Sequence, residues 1–314
     1  MNDVASTLRF GILIEPREAL PDLVARVLWY EALGLDTIWL ADCFADPSVA
    51  TGPWFEAWTL LAGLATQTRR IRLGTLITHV VYRNPALLAR QAMTVDHLSS
   101  GRLELGMGAG ASEQDWAMTG GSTPWPHRER VERLEEAVVI VDRLLREGTA
   151  SVAGRYYRVD GAMLAPAPVQ RPRPPLTIAA HGPASLDIAA RYADAWNTAG
   201  TYARLADWGS GHRGTTTADV LRLTRELSER LDEQAARCGR DPGGIVRSVL
   251  AGFEWAAAPS APWSSVAAFR EFVGRYRELG FTEFICPEPT AAQHAVLEAI
   301  VGEVIPALRG GTGS

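Results

Sequence analysis

Apolar and polar positions along this chain follow two alternating patterns. Short, nearly continuous apolar runs alternate with longer segments in which apolar residues recur every three or four positions. The short runs predict buried β-strands, and the longer segments predict amphipathic α-helices. Strict alternation of strands and helices along a chain implies a parallel sheet.

The stretch 84–110 shows this alternation most clearly. Asn84-Pro85 predicts a helix start, because the N–H that proline lacks has no partner in a first helical turn. Apolar residues then recur at helical spacing until Gly101, which predicts the end of the helix, since glycine accepts the left-handed conformation. A short strand follows and leads into the small residues 108–110. That loop has two interpretations: a tight turn, or a place where backbone amides approach a ligand.

Eight predicted strands, each followed by a predicted helix, account for most of the chain. The strands are 9–15, 37–42, 71–79, 102–106, 176–180, 194–197, 246–254 and 282–286. The helices are 20–33, 56–68, 85–98, 127–147, 184–192, 218–238, 264–279 and 290–308. Eight such units in 314 residues favour a closed (β/α)8 TIM barrel of the α/β class, with 1–314 as a single domain.

Three segments lie outside this repeat. Residues 151–159 predict a small hairpin, and the proline-rich segment 165–175 predicts a connector. Residues 201–217 are rich in glycine and threonine and have no clear periodicity. We expect this last segment to be a mobile insertion, or a lid over an active site.

Composition narrows the class of protein. The net charge of −5 gives no reason to expect a nucleic-acid partner. No apolar run approaches bilayer length and the first residues lack a signal-peptide pattern, so we expect no membrane association. Cys43, Cys238 and Cys286 lack CxxC spacing, which favours a reducing, cytoplasmic location over a disulfide framework or a zinc site.

The residue content of the chain also argues against two classes of barrel enzyme. The chain contains no lysine, and Schiff-base chemistry requires a lysine amine, so lysine-dependent aldolases and pyridoxal-phosphate enzymes are excluded for this chain. A metal-dependent hydrolase is a weaker alternative, because the first strand ends in Glu15-Pro16 without paired histidines. We expect no metal site.

Five segments, taken in order along the chain, are similar to segments of a known family. They are GLDTIWLAD, FEAWTLLAGLATQTRRIRLGT, RNPALLARQAMTVDHLSSGRLELGMGAG, PPLTIAAHGPASLDIAARYADAWN and ELGFTEFI. With them the chain resembles the bacterial luciferase-like superfamily of flavin- and deazaflavin-dependent oxidoreductases. The resemblance implies a (β/α)8 barrel with an insertion near its middle, a flavin-type ring at the carboxyl-terminal mouth, and hydride transfer or oxygen activation there. It also implies a homodimer or higher homo-oligomer.

The resemblance further implies that Asp42, His79 and Glu113 carry the chemistry. A carboxylate at Asp42 would accept a hydrogen bond from a ring N–H or orient a substrate; the alternative is helix capping or a local salt bridge. The family often has a histidine after this acid, whereas this chain has Cys43. His79 would donate a hydrogen bond or move a proton near neutral pH, or else it is a structural histidine at a strand end.

A larger set matches the family's cofactor-binding segments: Asp42, Leu76, Ile77, Thr78, Gly108, Ala109, Gly110, His181, Gly182, Pro183, Asn197 and Thr198. In several members a non-proline cis peptide lies behind the ring, and by position it falls at Leu76–Ile77; a plain strand is the alternative. Residues 181–183 precede a helix whose free N–H groups would bind phosphate, and the turn at 197–198 would complete that site. Ala111 stands where the family often has tryptophan, which would enlarge the substrate space.

The predicted activity is hydride transfer to or from a small organic substrate with the deazaflavin coenzyme F420. An FMN-dependent monooxygenase and a non-catalytic flavin-binding relative are the alternatives. Trp54, Phe55, Trp116 and Trp125 are predicted in loops near the barrel mouth, where they would line an apolar substrate pocket or stand as scattered exposed aromatics.

Overall fold

The computed structural model describes residues 8–47, 49, 51–110, 113–119, 124–199, 217–251 and 262–310. The backbone of Glu113 is described but its side chain is not. The predicted lid at 201–217 lies outside the described residues except for Thr217, and Ala111 lies outside them as well.

The strands form a barrel and a separate hairpin. They are β1 (Arg9–Ile14), β2 (Thr37–Leu40), β3 (Arg72–Thr75), β4 (Thr78–His79), β5 (Leu103–Gly108), β6 (Thr149–Ala153), β7 (Arg158–Met163), β8 (Leu176–Ala179), β9 (Ala195–Thr198), β10 (Val246–Leu250) and β11 (Glu283–Pro287). Within the described ranges nine strands make one sheet in the order β3-β2-β1-β11-β10-β9-β8-β5-β4, and β3 also pairs with β5. Because β3 and β4 are two halves of one barrel strand, that pairing closes an eight-stranded parallel barrel. β6 and β7 pair antiparallel.

Helices connect the barrel strands, as predicted. They are α1 (Leu20–Leu33), α2 (Ala57–Gln67), α3 (Pro85–Leu98), α4 (Glu113–Met118), α5 (His127–Glu147), α6 (Pro183–Tyr192), α7 (Thr217–Arg237), α8 (Val266–Arg277), α9 (His294–Ala299) and α10 (Ile305–Gly310). Most predicted helix ends coincide with the observed ones or lie within two residues of them, and the predicted (β/α)8 fold is confirmed.

The predicted strand 71–79 is divided in two. β3 ends at Thr75 and β4 begins at Thr78, and the peptide bond between Leu76 and Ile77 is cis. The structure therefore has the cis bond at the position that the family resemblance indicated. β5 is longer than predicted and extends to Gly108, so this glycine belongs to the strand.

The last helix differs most from its prediction. A short 3-10 turn (Ala291–Gln293) precedes α9, and a π-helical segment (Ile300–Val304) separates α9 from α10. The whole stretch Ala291–Gly310 is long and apolar enough to cross a membrane by length and composition alone, which corrects the expectation that no apolar run approaches bilayer length. Leu297 and Ile300 in this stretch are fully buried, and 28% of its apolar window is buried inside the structure.

The chain divides into two compact units. The first comprises Met1–Leu13, Trp29–Thr37 and Ala180–Ser314, and the second comprises Ile14–Leu28 and Ile38–Ala179. In the first unit, the ring of Phe10 stacks on Phe284 with centroids 5.5 Å apart. In the second unit, the fully buried Trp39 lies so close to Gly74 that a Cβ there would be 2.7 Å from its ring. A single domain over 1–314 stays a prediction.

The start of α3 has the predicted cap. The Asn84 side chain accepts a hydrogen bond from the Ala86 N–H at 2.9 Å, and Pro85 occupies the first helical position. Replacing Asn84 with alanine leaves that N–H without its acceptor, so we expect the free energy of unfolding to fall by about 1 kcal/mol. Urea denaturation measures this, and Asn84→Asp, which keeps the acceptor, should retain most of the stability.

Candidate active site

Asp42 lies two residues after the end of β2, in the second unit, and its carboxylate is buried. The guanidinium of Arg83 holds both carboxylate oxygens, with Nη1 2.5 Å from Oδ2 and Nη2 2.8 Å from Oδ1. Arg83 also forms a short ion pair with Glu56, the N-cap of α2. The structure shows a local salt bridge at Asp42. Its role as acceptor for a ring N–H or in orienting a substrate stays a prediction.

Burial controls the protonation of this carboxyl group. It raises the pKa of Asp42 to about 6, and the neighbouring Arg83 guanidinium opposes this increase. Arg83 itself was not predicted as a site residue. Its position in the sequence, just before the helix start at Asn84-Pro85, indicated only the beginning of α3.

His79, at the end of β4, is held as a neutral imidazole. Burial lowers its pKa to about 4, and Arg83 and Arg130 lower it further while Asp115 raises it. Its ring stacks on Tyr82 with centroids 5.2 Å apart. The Nδ1 atom is buried and has no hydrogen-bond partner in the part of the chain that the structure describes. A group with this pKa does not exchange protons near pH 7, so hydrogen bonding suits His79 better than proton transfer.

Asp115 is a buried acid that the sequence analysis missed. It lies on α4, two residues beyond the predicted Glu113, and its Oδ1 accepts the backbone N–H of Phe44 at 3.2 Å. Burial raises the pKa of both Cys43 and Tyr82, and the negative charge of Asp115 raises both further. The only sequence signal was its place in the segment SEQDW, two positions after an acid that matched the family.

Cys43 replaces the histidine common in the family, and its thiol stays protonated. Burial raises the pKa of Cys43 to about 12, and the charges of Asp115 and Asp42 add to this increase. A thiol with such a pKa is a poor nucleophile at pH 7. Its backbone carbonyl accepts the Trp54 indole N–H at 2.8 Å.

Thr78 belongs to a buried hydrogen-bond chain. The Trp58 indole donates to the Thr78 hydroxyl at 3.1 Å, and the two hydroxyls of Thr78 and Thr75 lie 2.7 Å apart. Thr75 in turn donates to the Gly106 carbonyl at 3.2 Å. These partners satisfy the side chain of Thr78, which was predicted to bind the cofactor, within the protein itself.

The glycine loop at the end of β5 accommodates protein side chains. A Cβ on Gly108 would lie 1.9 Å from Cδ1 of Ile77, and one on Gly110 would lie 2.6 Å from the His79 ring. The Gly110 carbonyl accepts a short hydrogen bond from Arg130. The space beside the Cα atoms of these two glycines is therefore filled by the side chains of Ile77 and His79. The approach of a ligand to the backbone amides of 108–110 stays a prediction.

His181 lies in the first unit, between β8 and α6. Its Nε2 accepts the backbone N–H of Ala199 at 3.0 Å, so the neutral ring carries its proton on Nδ1. Burial lowers the pKa of His181 to about 4. The residue that replaces the first small residue of the family motif thus ties this loop to the end of β9.

The start of α6 offers fewer amides than predicted. Pro183 has no N–H, and the Gly182 N–H donates to the Ser185 hydroxyl at 3.3 Å. The backbone N–H groups of Ala184 and Ser185 are the remaining candidates for a phosphate in this turn. The predicted phosphate site at 181–183 stays a prediction, now centred on these two amides.

Asn197 and Thr198 are not in a turn. Both are buried in β9, and the Asn197 side chain donates to the Ser248 hydroxyl at 2.9 Å. The expectation of a turn at these positions is wrong, because β9 continues one residue further than predicted. Their part in a phosphate site stays a prediction. Over the described ranges, no three His, Cys, Asp or Glu side chains lie together as a metal site would need.

Comparison with known proteins places this geometry in a family. The family model for luciferase-like monooxygenases matches residues 4–210. An F420-dependent glucose-6-phosphate dehydrogenase from Intrasporangium calvum is 28% identical, with 98% of each chain covered. An F420-dependent hydroxymycolic acid dehydrogenase from Mycobacterium tuberculosis is 32% identical, covering 59% of this chain and 51% of the relative.

Among solved structures, the coenzyme F420-dependent tetrahydromethanopterin reductase from Methanopyrus kandleri superposes with a TM-score of 0.75 at 16% identity. The superposition covers 96% of this chain and 99% of the reductase. At that identity the likeness shows the shared fold. The family model, which covers about two thirds of the chain, shows more: this protein belongs to the luciferase-like monooxygenase family.

Proposed function

We propose that this protein is an F420-dependent oxidoreductase that interconverts an alcohol and a carbonyl compound by hydride transfer. Two lines of support converge. The relatives with the F420-dependent names given above include one that matches almost the whole chain. The carboxyl ends of β2, β4 and β5 also carry a neutral imidazole and a buried carboxylate, groups that can hydrogen-bond to a flavin-type ring.

The observation that carries the proposal is the buried, unpartnered Nδ1 of His79. Leaving a buried polar atom unpaired costs about 1–3 kcal/mol, which a bound group with a matching hydrogen-bond donor or acceptor would remove. The residues present therefore fit a ring edge with N–H and C=O groups. When bound, a deazaflavin supplies a carbon that accepts or gives hydride.

The residues of the chain have supporting roles in this proposal. Arg83 binds both oxygens of the Asp42 carboxylate and so fixes the orientation of that group. His79 offers a neutral hydrogen-bonding atom, and its stacking on Tyr82 limits rotation of the imidazole. The hydrogen-bonded hydroxyl groups of Thr75 and Thr78 fix the backbone at Leu76 and Ile77, because the two threonines flank it.

Titration of the purified protein with F420 and, separately, with FMN tests the proposal. We expect F420 to bind with a dissociation constant in the micromolar range and FMN to bind at least about tenfold more weakly. Fluorescence of each cofactor reports its binding. Tight binding of FMN alone would refute the cofactor, and the absence of binding by either would refute the function.

A pair of His79 variants tests the role of Nδ1. His79→Leu removes the polar atom, so we expect F420 affinity to fall about tenfold, the loss of one hydrogen bond. His79→Asn places a side-chain amide near the Nδ1 position and should keep most of the affinity. His97→Gln on α3 is the matched control, because the His97 side chain is exposed and its ring hydrogen-bonds to the Ala167 carbonyl. Equal affinity for the Leu and Asn variants would contradict the role.

An FMN-dependent monooxygenase is the second candidate, because the matching family model describes luciferase-like monooxygenases. Substrate-dependent oxygen consumption with reduced FMN would favour it. A non-catalytic relative would bind cofactor and never oxidise it over a broad panel of alcohols.

The proposal extends to location and partners. We infer a cytoplasmic protein, supported by the three free cysteines. A small-molecule substrate and a homodimer or higher homo-oligomer complete the proposal, with no nucleic-acid or membrane partner. Light scattering coupled to size-exclusion chromatography measures the oligomeric state.

A further inference from the structure

Carboxylates surround the site at the end of β2. Burial raises the pKa of the Cys43 thiol, and the negative charges of four carboxylates raise it further. They are Asp115, Asp42, Glu15 and Asp46. Asp42, Asp46 and Asp115 are buried, so solvent screens them less than it would screen surface charges. The environment at Cys43 is therefore acidic.

The neighbouring cations are already bound to protein groups. Arg83 is paired with Asp42 and Glu56. Arg17 is 2.8 Å from both Glu15 and Asp46. A third guanidinium, that of Arg130, donates to the Gly110 carbonyl and acts with Arg83 on His79. The chain has no lysine. Among the described residues, five carboxylates of this region therefore face three guanidinium groups, an excess of negative charge; the carboxylates are those of Glu15, Asp42, Asp46, Glu56 and Asp115.

Aromatic rings cover the same acidic region. Phe44 is 52% exposed, although its backbone N–H is bonded to the buried Asp115, and its ring centroid is 6.5 Å from that of Tyr82. Trp54 is anchored to the Cys43 carbonyl. Aromatic faces bind apolar groups and also attract cations.

We propose that the site of this enzyme takes an uncharged or cationic, largely apolar alcohol or carbonyl compound and rejects phosphorylated and other anionic substrates. The inference names the substrate class of the proposed function and rests on it. It separates this chain from the relative named for glucose 6-phosphate, since a phosphate would meet carboxylates and aromatic faces at the end of β2.

Three probes that share one ring and differ in charge test the inference. They are benzyl alcohol, benzyltrimethylammonium and benzyl phosphate, titrated into the protein without cofactor and followed by ligand-observed NMR at fixed ionic strength. We expect benzyltrimethylammonium to bind most tightly and benzyl phosphate to bind at least about tenfold more weakly than benzyl alcohol. Phosphate binding equal to or tighter than that of the alcohol, or no binding by any probe, overturns the inference.

Two variants locate the binding. Asp115→Asn keeps the acceptor for the Phe44 N–H and removes the charge, so the preference for the cation over the alcohol should fall about fivefold. Asp160→Asn makes the same charge change on the exposed surface of β7 and should leave the preference unchanged. Phe44→Ala truncates an exposed ring and should weaken all three probes about threefold. Equal behaviour of the two Asp variants, or full affinity in Phe44→Ala, overturns the location.

The probe titrations and the cofactor titrations test the two proposals separately. Loss of F420 binding with the charge preference intact would refute the proposed function and keep the charge selectivity. F420 binding without charge selectivity would do the reverse.

Discussion

Replacing Arg83 with methionine is expected to lower the free energy of unfolding by about 3 kcal/mol at pH 8, because the Asp42 carboxylate then remains buried without its cation. The Asp42 side chain is 2% exposed and that of Arg83 is 10% exposed, so water cannot replace the guanidinium without local opening. Urea denaturation of the two proteins at matched ionic strength measures the difference.

The cost of this substitution should depend on pH. Burial raises the pKa of Asp42 to about 6 in the folded protein, so the folded state holds its proton more tightly than the unfolded state does. The contribution of this group to stability is therefore fully present below the unfolded pKa and is lost as the pH rises through about 6. Without Arg83 the folded pKa rises further, so the penalty should shrink at pH 5, where a protonated carboxyl group needs no cation.

Two controls separate the buried charge from other effects. Adding Asp42→Asn to Arg83→Met removes the unpaired charge and should recover at least half of the lost stability. Arg128→Met removes an arginine whose side chain is 88% exposed and should leave the denaturation midpoint unchanged. A double variant as unstable as Arg83→Met alone would show that the loss comes from packing.

Replacing Gly106 with alanine is expected to lower the free energy of unfolding by about 3 kcal/mol. A Cβ at this position would lie 1.9 Å from the backbone oxygen of Thr75 and 3.5 Å from the Trp39 ring. The Thr75 oxygen belongs to the backbone of the adjacent barrel strand, so rotation of a side chain cannot relieve the clash. Thermal and urea denaturation both report the loss.

Gly63 provides the matched control. It is exposed in the interior of α2, and no atom would lie within 4 Å of a Cβ placed there. Gly63→Ala should raise the free energy of unfolding by up to about 1 kcal/mol, because alanine has the higher helix propensity. Similar changes for Gly106→Ala and Gly63→Ala would show that close approach of β3 and β5 does not require glycine.

Local signals were sufficient for most of the fold. The cap at Asn84, the helix end at Gly101 and the long helix over 127–147 depend on hydrogen bonds and periodicity within one turn, so their sequence contains the cause. The terminal helix was predicted less well, because its π-helical segment at Ile300–Val304 has no local sequence signal that we recognised.

The candidate site could be predicted in place and not in detail. Asp42 and His79 do lie at the carboxyl ends of barrel strands, as parallel topology requires. The pairing of Asp42 with Arg83, 41 positions away, depends on the packing of the loop after β4 against the end of β2. Neither segment has a local sequence pattern that predicts this contact.

The sequence by itself determined the alternation of strands and helices, and hence the barrel, since hydrophobic periodicity and helix caps are local properties. Only the tertiary structure decided which groups remain available for chemistry. The Asp42 carboxylate is paired with Arg83, and the side chains of Ile77 and His79 fill the space beside Gly108 and Gly110. Asn197 is buried in β9, and Nδ1 of His79 has no hydrogen-bond partner among the described residues. Those outcomes depend on burial and on contacts between residues distant in sequence, which set charge, pKa and hydrogen bonding together.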